Sequence, residues 1–231
     1  MNLKNIIITV IALFVIAIGG FAVYFFLAAG SGEASQDISE VAPTLADSEE
    51  GTRFRIVPAE SQASFTLDED LAGVRTTVVG TTDQVGGDLV INFDDPAQSE
   101  VGQITINART LQTDNDFRNS ALRANVLRSA RDEYEFITFE PTELVGLPES
   151  VEVGETYDFQ IVGDLTIIET TNPVTFDASV TITSESEISG SASALITYGD
   201  WDIPIPTAPR VANVDEQTTL AFEFVARTTE E

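Results

Sequence analysis

"YDFQIVGDLTIIETTNPVTFDASVTIT", residues 157–183, has a period of two from end to end. Tyr157, Phe159, Ile161, Gly163, Leu165 and Ile167 fall on one face, with Asp158, Gln160, Asp164 and Thr166 on the other. After a turn over 169–173, Val174, Phe176, Ala178, Val180 and Ile182 alternate with Thr175, Asp177, Ser179, Thr181 and Thr183. Strict alternation describes strands with one buried and one wet face, the pattern of an antiparallel sheet. Working outward, "DLVINFD" (88–94) places Leu89, Ile91 and Phe93 on one face, and "QITINA" (103–108) places Ile104, Ile106 and Ala108 there. Leu220, Phe222, Phe224 and Ala226 do the same near the C-terminus. Gly, Pro, Asn and Asp clusters such as "DDPAQSE" and "GDWDIPIP" separate the runs, as turns require.

The pattern predicts about eight to ten strands and a single short helix, within 116–131. So many strands with one apolar face must close into a barrel or stack as a sandwich. Two runs, 155–169 and 173–185, are long for a sandwich, and the Cys…Trp…Cys spacing of an immunoglobulin domain is missing. The expectation is an all-β, antiparallel barrel of about eight strands, wide enough to hold one apolar ligand.

Composition removes most other functions. The 231 residues carry 38 acids against 11 lysines and arginines, a net charge of −27. So acidic a chain has no basic face to displace counterions from nucleic acid. Cysteine and histidine are absent and the one lysine is Lys4, which excludes thiolate, imidazole and Schiff-base chemistry. "DNDFRN" puts arginine where a calcium loop needs an oxygen ligand. Asp200 and Asp202 flank Trp201, the only tryptophan, and could suggest a pair for glycoside hydrolysis. A surface turn with Trp201 plugging the barrel is the preferred reading.

At the N-terminus, "IIITVIALFVIAIGGFAVYFFLAA" (6–29) has no charge and is long enough to cross about 30 Å of hydrocarbon as a helix. A retained single-pass anchor is expected, with a cleaved signal peptide as the rival. Lys4 then places residues 1–5 in the cytoplasm and the barrel outside it. Residues 30–52 contain six acids and no base until Arg53, and read as a disordered, solvated stalk. The folded domain is expected over 53–228, with 229–231 as a tail.

"DFRNSALRANVLRSAR" (116–131) concentrates four of the scarce arginines. On a helix they scatter over several sides and form no basic stripe. The spacing predicts i,i+4 pairs of Arg128 with Asp132 and Arg131 with Glu135, on a segment neutralised by its own neighbours.

Four blocks resemble the YceI-like family of bacterial extracytoplasmic proteins. "VGDLTIIETTNPVTFDASV" (162–180) carries its Gly, Leu-Thr-Ile and Pro-Val-Thr-Phe signature. "RIVPAESQASFTL" (55–67) is similar to its opening strand pair at Ser61 and Phe65, and "VVGTTDQVGGDLVINFDD" (78–95) to its hairpin at Gly80, Gly87 and Leu89. "FRNSALRANVLRSARDEYEFITFEP" (117–141) matches at Arg118, Leu122, Tyr134, Ile137, Thr138 and Phe139. The sequence departs from the family where Asn119 replaces an aspartate and Ala121 a histidine, and it is one residue longer before "FITF".

The resemblance implies a lipocalin-like barrel with an apolar tunnel that binds a polyisoprenoid-type or fatty-acyl lipid, with no cofactor, metal or catalytic residue. Ligand contacts are then expected from Phe65, Phe93, Phe139 and Phe159. Phe176, Trp201 and Phe222 join them from the later strands. Phe117, Arg118 and Leu122 would form a lid, with Arg118 either holding an anionic head group or paired to Asp114 or Asp116. Arg123, Arg128 and Arg131 would point to solvent. The rivals are a structural or adhesive module with a self-filled core and, more distantly, a carboxylate-dependent hydrolase.

Overall fold

Alternating apolar residues become thirteen antiparallel segments of one sheet in the computed structural model, which describes residues 29–46 and 51–229. They are β1 (Thr52–Ile56), β2 (Gln62–Leu71), β3 (Val74–Thr82), β4 (Val85–Gly86), β5 (Asp88–Ile91), β6 (Glu100–Val101) and β7 (Ile104–Asn107). The longer strands follow: β8 (Phe136–Val145), β9 (Thr156–Ile167), β10 (Thr170–Ser184) and β11 (Glu187–Thr197), then β12 (Val211–Ala212) and β13 (Gln217–Thr228). Helix is confined to α1 (Ile38–Val41), α2 (Asp116–Ala121) and short turns among the described residues. The sheet is all-β and antiparallel, as the period of two requires.

β7 through β11 form a meander that passes on to β13. β13 then divides its pairing, residues 226–228 with β1 and 219–223 with β2. β2 pairs with β3 over 63–71, and the short β4 just beyond β3 pairs with β7. The sheet therefore curls around an apolar interior. In β9 and β10 the inward residues are those of the sequence alternation: Leu165, Ile167, Val174, Phe176, Ala178, Val180 and Ile182 are all buried.

Tight curling needs close approach between strands, and glycine allows it. Phe65 and Gly80 are register partners, and the Phe65 ring lies where a Gly80 side chain would begin: a Cβ there would meet Phe65 Cε1 at 2.2 Å. At Gly163 a Cβ would lie 2.7 Å from the Phe139 ring and 2.5 Å from the Glu140 carbonyl. Phe139 in turn meets Phe176 edge to face with centroids 4.9 Å apart. Rings laid over glycines thicken the wall without filling the interior.

The segment read as a free stalk packs on the outside of the sheet over residues 29–46. Ser35 donates to Glu135 from its N–H at 2.8 Å and its hydroxyl at 2.6 Å. Ile38 and Ala42 are buried against Gly86, and Arg55 reaches out to the Ser39 carbonyl. Leu45 N–H donates to Asp88 at 3.1 Å, and Arg53 donates to the Leu45 carbonyl at 3.0 Å. Glu33, Asp37 and Glu40 stay exposed. Like charges here do not force solvation, because the strap turns its acids outward and offers backbone groups and two apolar side chains inward.

The apolar run expected to anchor the chain lies outside the described residues, apart from Ala29 at its end. No helix among the described residues is long and apolar enough to cross a membrane.

Candidate functional site: an apolar cavity with an arginine at its mouth

The interior of the curled sheet holds a cavity of about 740 Å³. That is within the range of roughly 300–1,000 Å³ typical of small-molecule sites. Its wall is built from the inward positions of nearly every strand. Phe65, Phe139, Phe159, Phe176 and Phe222 all line it, and Phe117, Arg118 and Leu122 line it from the segment above. Two further candidates are placed elsewhere. Phe93 packs edge to face on Phe54, centroids 6.3 Å apart, and does not line the cavity. Trp201 is buried, and its indole N–H donates to the Leu165 carbonyl at 3.0 Å, so it ties a turn to β9 instead of plugging the interior. Its neighbours Asp200 and Asp202 are both exposed.

The mouth is formed where the lining reaches solvent. Leu71 on β2, Phe117 on α2 and Ile205 in the loop after Trp201 all line the cavity and are 36%, 69% and 38% exposed. Asn115 sets the start of α2, its side chain accepting from the N–H groups of Phe117 and Arg118 at 3.0 and 3.1 Å. The helix then widens into a single π-turn over Leu122–Val126, closed by a bond from Leu127 N–H to the Leu122 carbonyl at 2.8 Å. That turn carries Leu122, Val126 and Leu127 into the lining. Arg128, at a φ of +53°, ends it.

Among the described residues, three charged ones reach the lining: Glu69, Arg118 and Arg210. Arg118 donates to Glu69 at 2.8 Å and to Asp114 at 2.7 Å. Both carboxylates are met by one guanidinium, and Glu69 is 6% exposed. Pairing with Asp114 was one of the two sequence expectations; Glu69 was not anticipated. The signal was available, since Glu69 continues the inward row Phe65, Leu67 and Leu71 of β2.

The remaining arginines do not behave as the helical spacing predicts. Asp132 and Glu135 pair with Arg109, at 2.8 and 3.1 Å, and not with Arg128 and Arg131. The helix stops before those i,i+4 pairs can form. Arg128 and Arg131 instead lie against the Tyr134 ring, at 5.6 and 5.9 Å from its centroid. Arg123 is not directed into solvent: its Nε donates to the Ala29 carbonyl at 3.0 Å, and burial pushes its pKa down against the opposing pull of Asp116. Asn119, in the family's aspartate position, is buried and accepts from the N–H and hydroxyl of Thr113 at 2.7 and 2.8 Å. Ala121, in the histidine position, lines the cavity.

Residues 54–226 match the model of the YceI-like domain. No curated protein matches the chain. Among solved structures it is similar to BcnA of Burkholderia cenocepacia, at a TM-score of 0.57 and 16% identity over 74% of this chain and 98% of that one. A polyisoprenoid binding domain from Saccharophagus degradans, implicated in plant cell wall breakdown, aligns at a TM-score of 0.56 and 15% identity, covering 77% and 99%. The YceI protein of Campylobacter jejuni aligns at 0.51 and 16%, covering 65% and 85%. At these identities the structural likenesses speak to fold.

Proposed function

The chain belongs to the YceI-like family, and from that footing we propose that it is a membrane-tethered, extracytoplasmic carrier of one polyisoprenoid or fatty-acyl lipid. Residues 6–28 would cross the membrane as a helix, with the domain outside the cytoplasm. The curled sheet would work as an eight-stranded barrel: β1 with β2, β3 with β4 and β5, and β6 with β7 count as three interrupted strands beside the five long ones. The single observation that carries the reading is the cavity of about 740 Å³, walled by Phe, Leu and Ile from most of the strands. The polyisoprenoid-binding domain among its structural likenesses supports the ligand class.

Charge at the mouth narrows the head group. Arg118 faces two carboxylates, so the local sum is one negative charge and the guanidinium is already hydrogen-bonded. A phosphate would have to displace a glutamate removed from water. A neutral head that exchanges hydrogen bonds, such as an alcohol or a quinone carbonyl, meets no such cost. Glu69 is the one carboxylate in the lining among the described residues, which favours binding over a two-carboxylate hydrolysis.

Organic extraction of the full-length protein purified from its membrane, followed by mass spectrometry, tests this. The expected result is a stoichiometric isoprenoid or acyl lipid with a neutral head. A protein that yields no lipid after gentle detergent extraction would support the self-filled module. A pyrophosphate-headed lipid would reverse the head-group reading alone. Placement outside the cytoplasm is checked separately with a Val153→Cys variant of this cysteine-free chain, which should react with a membrane-impermeant maleimide on intact cells.

A further inference from the structure

Eight large apolar side chains are conspicuously exposed among the described residues, and four of them gather at one end. Leu71, Phe117 and Ile205 rim the cavity mouth. Val74, 66% exposed, is the register partner of Leu71 across the β2–β3 hairpin. Val145 and Val153 lie at the far end of the strands, and Val79 and Leu195 on outer strand positions. Singly exposed apolar residues are ordinary, but a contiguous set around an opening marks an interaction surface.

The path of the chain says what that surface meets. Ala29 is 1% exposed, held by Arg123, and Gly30 lies beside Ala130. Arg123 and Ala130 belong to the same 116–131 segment that carries Phe117 and Arg118. The apolar run therefore ends on the lid segment with no spacer between them, because the expected stalk is folded back along the outer wall. β9 alone, at twelve residues, spans roughly 40 Å. Leaving from the mouth end or from the far end is thus a large difference in where a bilayer would lie. Local charge does not drive the approach. Arg75 pairs with Asp68, Asp70 and Asp215 beside the hairpin, and with Arg210 at the rim two arginines face three carboxylates, so this end stays negative and offers nothing to anionic lipid.

We propose that the rim formed by Leu71, Val74, Phe117 and Ile205 inserts into the surface of the bilayer that holds residues 6–28, so that lipid passes between bilayer and cavity without crossing water. The proposal rests on the anchor and carrier readings above. Insertion is driven by apolar contact with zwitterionic lipid, not by attraction to anionic head groups.

The test uses the full chain reconstituted in phosphatidylcholine vesicles. Single Val74→Cys and Val153→Cys variants are labelled with an environment-sensitive fluorophore, and a fraction of the lipid carries a nitroxide on its acyl chain. Val74 does not line the cavity, so quenching there reports the bilayer and not a lipid bound inside. The label at Val74 should be quenched several-fold more strongly than the label at Val153. A Phe117→Cys label should follow Val74. Equal, weak quenching at all three positions, with the protein still held by the vesicles after a high-salt wash, overturns docking and leaves the anchor standing. Loss of protein from the vesicles in that wash overturns the anchor reading, and docking with it. Strong quenching from protein that yields no extractable lipid keeps the docking and removes the carrier role.

Discussion

Arg109 and Arg118 each hold a glutamate almost wholly removed from water, Glu135 at 1% and Glu69 at 6% exposure. Their surroundings differ. Around Arg109 every group is taken: its Nε donates to the Ser129 carbonyl at 2.7 Å, and Glu135 also accepts from Asn107 and from both donors of Ser35. Around Arg118 the coordination is open on one side. Its second partner, Asp114, is 87% exposed, and the pair looks into the cavity. The same ion-pair chemistry thus makes a clamp in one place and a site in the other. What separates them is whether backbone and strap close the last face.

The largest effect should follow Glu135→Ala. It strands Arg109 in the wall and frees Ser35 together, and breaking a buried pair costs about 3–5 kcal/mol. A urea titration in detergent measures it; a loss below about 1 kcal/mol would place both arginines in the same structural class. Next comes Arg118→Gln, which leaves Glu69 short of its donor and should cost about 1–3 kcal/mol. Adding Glu69→Gln should recover much of that loss, since amide can face amide, and the coupling is read from the four-variant cycle. A loss at Arg118 as large as that at Glu135 would erase the distinction.

Ligand binding sharpens it from the other side. With a neutral head group, Arg118→Gln should change lipid affinity by about 0.5–1.5 kcal/mol, whereas a charged head would lose about 1.5–3 kcal/mol. Smallest are the exposed partners: Asp132→Ala and Asp114→Ala should each shift stability by less than about 1 kcal/mol. The affinity of a lipid recovered from the protein should respond to Asp114→Ala but not to Asp132→Ala.

Legibility varied with the distance over which each feature is set. The strand faces of β9 and β10 could be read residue by residue, because the pleat alone imposes the alternation. Glu69 lies on the same kind of inward row, but a carboxylate there is legible only once Arg118, 49 residues away, is known to meet it. Phe93 and Trp201 had the right chemistry for a lining; only the stacking of Phe93 on Phe54 and the bond from Trp201 to Leu165 hold them out of it. The pairs predicted by helical spacing failed at Arg128, whose left-handed backbone ends the turn.

An all-β fold, its inward faces, the absence of thiol and imidazole chemistry and the family resemblance follow from the order of residues, because composition and a period of two are local properties. The course of residues 29–46 does not. By composition they are an acidic linker, and they become part of the wall because Arg123 and Glu135, distant in sequence, and Arg53 and Arg55, just beyond the segment, offer bonds that composition does not contain. Tertiary structure alone also chose Glu69 for Arg118 and Glu135 for Arg109. Which charges meet depends on how the sheet curls, and that curl is a property of all its strands together.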